Sequence, residues 1–236
     1  MPPANRATPS HGPAPMRQVS GQLARPEKNS PAQAGREAVY KYLDDIAAKD
    51  EAARRETIAK ITTRAQAEAR QKEVRAKILT LLGGLPEKTP LNAKTMGETH
   101  VDAGPLGGGF RIIKVLYESQ PNFPVTALLY LPDSPTSQNR DARHPKFAAV
   151  VMAPGHGPGG KAGDYQMAAT FARNGLAVLS YDPIGQGERI EYLDPAHPGV
   201  DLASRATGEH GEAGLQPTLI GDAVARYFAW DGMRAV

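Results

Sequence analysis

At 236 residues, with 40% hydrophobic and 22% charged residues, the chain is long enough for one large domain or a domain plus an extension. It has no cysteine, which excludes disulfides, zinc–thiolate sites and a thiol nucleophile, and no apolar run approaches the roughly 18 residues of a membrane span. The formal charge of +3 is unevenly spread: residues 1–82 carry fifteen Lys/Arg against nine acids, residues 83–236 thirteen against sixteen, and no basic cluster is interleaved with aromatics, which argues against a nucleic-acid partner.

Residues 1–35 hold seven prolines and no apolar h-region, so they read as a disordered Pro-rich tail rather than a signal peptide. Residues 36–84 form an N-terminal helical segment rich in Ala, Glu, Lys, Arg and Gln. Val39, Tyr42, Leu43 and Ile46 make one apolar stripe, and Ile58, Ile61, Ala65, Ala69, Val74, Ile78 and Leu81 a looser second one. The expectation is an amphipathic helical pair packed on a sheet, ended by Gly83-Gly84 and kept ended by Pro86.

Strand signals follow. Phe110–Glu118 alternates through Ile112, Val115 and Tyr117, and Val125–Leu131 follows the turn residues Gln120-Pro121-Asn122, which predicts an antiparallel hairpin. Asp133–Pro145 reads as a polar loop. A parallel unit comes next: strand 148–152, helix about 164–174, strand 177–181, and a long loop from Pro183 to Gly214. A last helix is expected from about Pro217 to the end, with Ile220, Val224, Tyr227 and Phe228 on its apolar side.

The stretch Val150–Lys161 places a glycine-rich turn directly between an apolar strand and a helix, the arrangement by which α/β folds offer backbone N–H groups to negative charge. Two ligands fit that description. Gly155, Gly160 and Lys161 stand at the spacing of a phosphate-binding loop, with Lys161 on the phosphates. Ala162, however, occupies the place of the Ser or Thr that would hold magnesium. Alternatively the turn is half of an oxyanion hole, with the backbone amide of His156 as first candidate donor and that of Gly157 second, since Pro158 has no N–H. The bland alternative is a tight turn and nothing more.

Asp182, in Asp182-Pro-Ile-Gly-Gln-Gly-Glu188, suits a structural role, tying its turn together through backbone N–H groups. The loop 191–214 gathers Glu191, Asp194, His197, Asp201, Glu209, His210 and Glu212 without a fixed metal-ligand spacing, so it reads as a solvated rim and no metal site is assigned. Asp231 and Arg234, at i and i+3, suggest a surface ion pair, and Trp230 a core position. None of the eight serines lies in Gly-x-Ser-x-Gly, and Ser180 falls inside a strand, so no catalytic nucleophile is assigned within the chain.

From about Leu82 onward, over about 155 residues, a series of segments stands in a telling order: Gly84-Leu-Pro-Glu-Lys-Thr-Pro-Leu-Asn92, Glu118-Ser-Gln-Pro121, Val125-Thr-Ala-Leu-Leu-Tyr-Leu-Pro132 and Pro154-Gly-His-Gly157. Tyr181-Asp-Pro-Ile-Gly-Gln-Gly-Glu-Arg189 and Ala225-Arg-Tyr-Phe-Ala-Trp-Asp-Gly-Met-Arg-Ala235 follow. On these residues the chain resembles the N-terminal portion of the acetylxylan-esterase-like α/β-hydrolase family. The resemblance implies an α/β fold in which residues 85–236 form the N-terminal half of an α/β-hydrolase domain: a truncated sheet with an antiparallel first hairpin, then parallel strands, preceded by N-terminal helices. It implies hydrolysis of acyl esters such as acetylated sugars, without a cofactor, by a serine, acid and histidine that lie beyond Val236. It also implies the sheet order 1-2-4-3-5, so that strand 148–152 pairs with 177–181 and leaves an unpaired edge open to self-association. The resulting expectation is a serine carboxylesterase fragment, inactive alone, with no nucleic-acid or membrane partner. The alternatives are a phosphate- or nucleotide-binding protein using Gly155–Lys161, and a non-catalytic binding module.

Overall fold

The computed structural model describes residues 30–134, 147–203 and 206–236. The Pro-rich tail up to residue 29 and most of the expected polar loop at 133–145 lie outside the described residues. The chain divides between Glu68 and Ala69 into two compact units, and the boundary falls within a helix.

Helix α1 (Pro31–Ala59) starts five residues before the expected segment. Ser30 caps it, its hydroxyl accepting the Gln33 N–H at 3.2 Å, and Pro31 occupies the first turn where its missing N–H costs nothing. Lys41–Asp45 and Glu51–Arg55 pair along its surface. Val39, Tyr42, Leu43 and Ile46 are all exposed, so the amphipathic stripe of α1 has no buried counterpart among the described residues of its own unit. Helix α2 (Arg64–Leu81) opens with a reciprocal cap. Thr63 Oγ1 accepts from Gln66 N at 3.3 Å, and Gln66 Oε1 accepts from Thr63 N at 3.1 Å. It ends where expected, with Gly83 and Gly84 in left-handed conformations (φ 72° and 82°) and the Gly84 N–H returning to the Leu79 carbonyl.

Residues beyond α2 form a mixed α/β unit around one five-stranded sheet. Strands β1 (Lys94–Val101), β2 (Phe110–Gln120) and β3 (Phe123–Pro132) make an antiparallel meander. The β2–β3 hairpin turns at Asn122, which adopts φ 60°. Strand β4 (Ala149–Met152), helix α3 (Tyr165–Arg173) and strand β5 (Ala177–Tyr181) follow as a parallel crossover. The sheet order is β1-β2-β3-β5-β4, so the chain steps over one position and returns. β4 pairs with β5 alone among the described residues, the expected neighbour, and its other edge carries no strand.

Alternation along the strands splits the core in two. Phe110, Tyr130, Met152 and Val178 pack against the small face of α3, Ala168, Ala169 and Ala172. On the opposite face Tyr117, Val125, Ala127 and Tyr181 form a second cluster, to which Ala235 adds from the chain's last residues.

Three elements depart from expectation. β1 was not expected as a strand. The loop from Pro183 to Gly214 ends in a helix, α4 (Ala206–Leu219), and the last helix, α5, begins only at Val224 and runs to Arg234. Asp231 and Arg234 are not a surface pair. Asp231 is 1% exposed and receives Arg189 Nη1 at 2.7 Å, while Arg234 is buried and donates to the Thr89 carbonyl. Trp230 is buried as expected, its indole N–H donating to the Ser119 carbonyl at 2.8 Å.

Candidate active site

The turn after β4 spends most of its amides on itself. Gly157 N–H donates to the Gly155 carbonyl at 2.6 Å, Gly160 to Gly157, Ala162 to Gly159 and Gly163 to Gly160. Lys161 N–H goes to Asp182 Oδ1 at 2.8 Å, and Pro158 has none to give. The amides of Gly155, His156 and Gly159 have no acceptor among the described residues. Of the two sequence candidates, the Gly157 hydrogen is therefore committed internally, and the His156 hydrogen is available.

A second turn, Asp182–Arg189, holds the first in place. Asp182 is fully buried and accepts from Thr126 Oγ1 at 2.6 Å, Lys161 N at 2.8 Å and Glu188 N at 3.1 Å, and from the Lys161 ammonium. That ammonium is buried, its other carboxylate partner being Glu188 at 2.5 Å. Gly160 and Gly187 adopt φ 49° and 60°, and a Cβ on either would stand about 2 Å from Asp182 Oδ1 (2.2 and 2.1 Å). The glycines of both turns thus make room for an internal carboxylate, and Lys161 is its counter-ion rather than a phosphate ligand. Gln186, 1% exposed, donates through Nε2 to the Gly155 carbonyl at 2.6 Å and the Gly157 carbonyl at 2.9 Å.

Beside these turns lies a cavity of about 420 Å³ lined by Ala153, Pro154, His156, Tyr181, Pro183, Gln186, His210, Phe228 and Ala229. Its histidines come from different elements, His156 from the turn after β4 and His210 from α4. The His210 ring stands edge-on to both neighbours, 5.0 Å from the His156 ring and 4.8 Å from Phe228. His210 Nε2 lies 2.8 Å from the Ile184 carbonyl, which can only accept, so Nε2 carries the hydrogen and Nδ1 is left as an acceptor. Burial pushes the His210 pKa below the ordinary histidine value, so the ring is neutral near pH 7. Tight packing fixes α4 here. Glu209 is fully buried and accepts the N–H groups of Glu191 and Tyr192, both at 3.1 Å, and a Cβ on Gly185 would meet the Glu209 Cβ at 2.5 Å.

The acidic loop is thereby dispersed. Glu209 is a structural acceptor, His210 faces the cavity, and Asp194 pairs locally with His197 at 2.7 Å. Among the described residues no group of three His, Asp or Glu side chains is placed to hold a metal ion. A hollow of similar size, about 440 Å³, opens between Phe123, Ile184, Tyr192, Ile220 and Tyr227, but the glycine turn does not line it. Of the described serines, Ser119 and Ser180 are fully buried, Ser30 caps α1, and none is hydrogen-bonded to a histidine. Sequence reasoning found the His156 turn. It named His210 only as one of seven residues in the rim loop and Gln186 only as part of the Asp182–Glu188 turn, since neither stands in a spacing pattern; only the fold brings them to His156.

No protein-family model and no curated protein matches the chain. Among solved structures, a candidate acetyl xylan esterase from Bacteroides fragilis NCTC 9343 is similar over 74% of this chain and 43% of that one, with a TM-score of 0.56 and 15% identity. An acetyl xylan esterase from Paenibacillus sp. R4 aligns over 61% of this chain and 44% of its own, at 21% identity and a TM-score of 0.29. The chain therefore spans less than half the length of either protein. The first likeness is one of fold, and the second is too low in TM-score to carry an argument.

Proposed function

We propose that this chain is part of a carboxylic ester hydrolase of the α/β-hydrolase type, in which the His156 amide is one donor of the oxyanion hole. The observation that carries this reading is that a backbone N–H with no acceptor among the described residues stands in the turn after β4, held from behind and beside a cavity. Acyl transfer needs such a donor, fixed before the reaction, to receive the charge that develops on the carbonyl oxygen. Shared fold with a candidate acetyl xylan esterase supports an ester substrate, and acetyl esters of sugars are the class the resemblance favours.

On this reading a serine attacks the carbonyl, the acyl-enzyme forms, and histidine-activated water releases it. None of those three residues is assigned among the 236 here, so further polypeptide would supply them, and the chain by itself has no esterase activity. A phosphate-binding alternative is disfavoured because a phosphate cradle needs several convergent amides and a lysine, whereas here the loop amides are largely consumed and Lys161 is buried against two carboxylates.

The test is hydrolysis of p-nitrophenyl acetate by this chain and by the same chain extended with its downstream coding sequence. The chain alone is expected to be silent and the extended protein active. In the extended protein, His156→Ala keeps the amide and should retain most activity, whereas His156→Pro deletes it and should cost about 10²–10³ in kcat. Equal loss in both variants would place the function in the ring and end the oxyanion assignment.

A further inference from the structure

The structure assigns Gln186 as the positioning residue that aims the His156 amide. A trans peptide is planar, with its C=O and N–H directed to opposite sides. The carbonyl of Gly155 and the N–H of His156 belong to one such peptide. Gln186 Nε2 holds that carbonyl at 2.6 Å, so the His156 N–H is turned away from Gln186. The second hydrogen of the same Nε2 holds the Gly157 carbonyl at 2.9 Å, which fixes the Gly157–Pro158 peptide, while the His156–Gly157 peptide between them is tied by its own N–H to the Gly155 carbonyl at 2.6 Å. The Gly155 and Gly157 carbonyls are thus pinned by one buried amide, and neither peptide that carries them can rotate without breaking a bond shielded from water.

Direction follows from the sheet. Gln186 belongs to the turn after β5, and β5 is the one strand paired with β4 among the described residues. The carbonyls are drawn toward the β5 side, so the His156 N–H is presented toward the open edge of β4. The Gln186 turn is itself braced: Gly187 N–H donates to the Pro158 carbonyl at 3.2 Å, Arg189 N–H to the Gln186 carbonyl at 2.9 Å, and Arg189 Nη1 to the Asp182 carbonyl at 2.9 Å. Rigid support of this kind is what an electrostatic donor requires, because a donor that must reorganise during the reaction loses its advantage. The use of that donor as an oxyanion contact rests on the esterase reading; its orientation by Gln186 does not.

The experiment is NMR on the uniformly labelled 236-residue chain. Through-hydrogen-bond couplings are expected from the Gln186 side-chain nitrogen to the Gly155 and Gly157 carbonyl carbons. Amide exchange should be fast at His156 and at least tenfold slower, relative to intrinsic rates, at Gly157. In Gln186→Met, similar in length but without donors, both carbonyl carbons should shift and the response of the His156 amide to added acetate should weaken about tenfold, with the rest of the spectrum retained. Missing couplings in the parent protein, or a protected His156 amide, would overturn the assignment without recourse to any variant. So would a folded Gln186→Met protein whose Gly155 and Gly157 carbonyl shifts are unmoved. If the couplings are present but the parent His156 amide ignores acetate, the aiming role stands and the oxyanion reading is the one that fails.

Discussion

Lys161 is the residue on which the two ligand readings of the glycine turn part, and replacing it by methionine separates them. The ammonium sits between Asp182, fully buried, and Glu188, whose side chain is 71% exposed. Removing one member of a buried ion pair costs about 3–5 kcal/mol, because the remaining charge stays out of water. Asp182 retains three donors, Thr126 Oγ1, Lys161 N and Glu188 N at 2.6, 2.8 and 3.1 Å, and Glu188 can turn to solvent. That residual solvation places Lys161→Met at the lower end, about 3 kcal/mol. With a urea slope of about 2 kcal/mol/M the unfolding midpoint should fall by roughly 1.5 M. The same titration at 1 mM ATP should leave parent and variant midpoints unmoved, since only a ligand of the folded state raises stability. A midpoint within about 0.3 M of the parent would refute the structural role. A parental rise with ATP that disappears in Lys161→Met would restore the phosphate loop.

Gly187→Ala should cost more than about 3 kcal/mol, from a left-handed conformation and a Cβ 2.1 Å from Asp182 Oδ1. Gly199→Ala, also left-handed (φ 88°) but with nothing within 4 Å, should cost only about 1–2 kcal/mol in the same urea assay. His210 is depressed by burial, so the unfolded chain takes up a proton before the folded one. The stability linked to it is complete above its unfolded pKa and is lost as pH falls through the lower folded value, a slope that His210→Phe should remove. His100 has the opposite sign: its hydrogen bond to Asp133 raises its pKa, so its contribution is complete below the unfolded value and is lost as pH rises through the folded one. Asp133→Asn should lower its NMR titration midpoint. Val151, 39% exposed in β4, borders the unpaired edge, and Val151→Lys should reduce any concentration-dependent association seen by sedimentation.

Elements that bury an alternating or 3.6-periodic face were legible from the residues alone, as β2, β3, β5 and α3 show. β1 was not, because Lys-Thr-Met-Gly-Glu-Thr-His-Val is an edge strand with almost no buried side chain, and its pairing with β2 slips beside Gly97. α4 contains three glycines and Pro217, so its propensity is poor; Glu209 docking onto the amides of Glu191 and Tyr192 anchors it from outside. Asp231 and Arg234 misled for a related reason. Helical spacing makes them neighbours, but Asp231 is answered by Arg189, 42 residues away. Local period reports which face is shared and is silent on what arrives from elsewhere in the chain.

The glycine turn shows the same limit at the site. A run such as Gly-His-Gly-Pro-Gly-Gly-Lys invites the inference that glycine lets a ligand approach the backbone. Here two of the glycines that need their missing side chain, Gly160 and Gly187, need it because Asp182 occupies the space, and the lysine that completes the phosphate pattern neutralises that same aspartate. An internal carboxylate has taken the place an external anion would have filled. Once Lys161 N–H and its ammonium belong to Asp182, and the Gly157, Gly160, Ala162 and Gly163 amides to the loop, the His156 amide is the unengaged one whose own residue lines the cavity. A single fixed donor is too little to hold a polyphosphate. The proposed oxyanion role asks for no more than one donor from this turn, because there the partner donor comes from the element that brings the nucleophile.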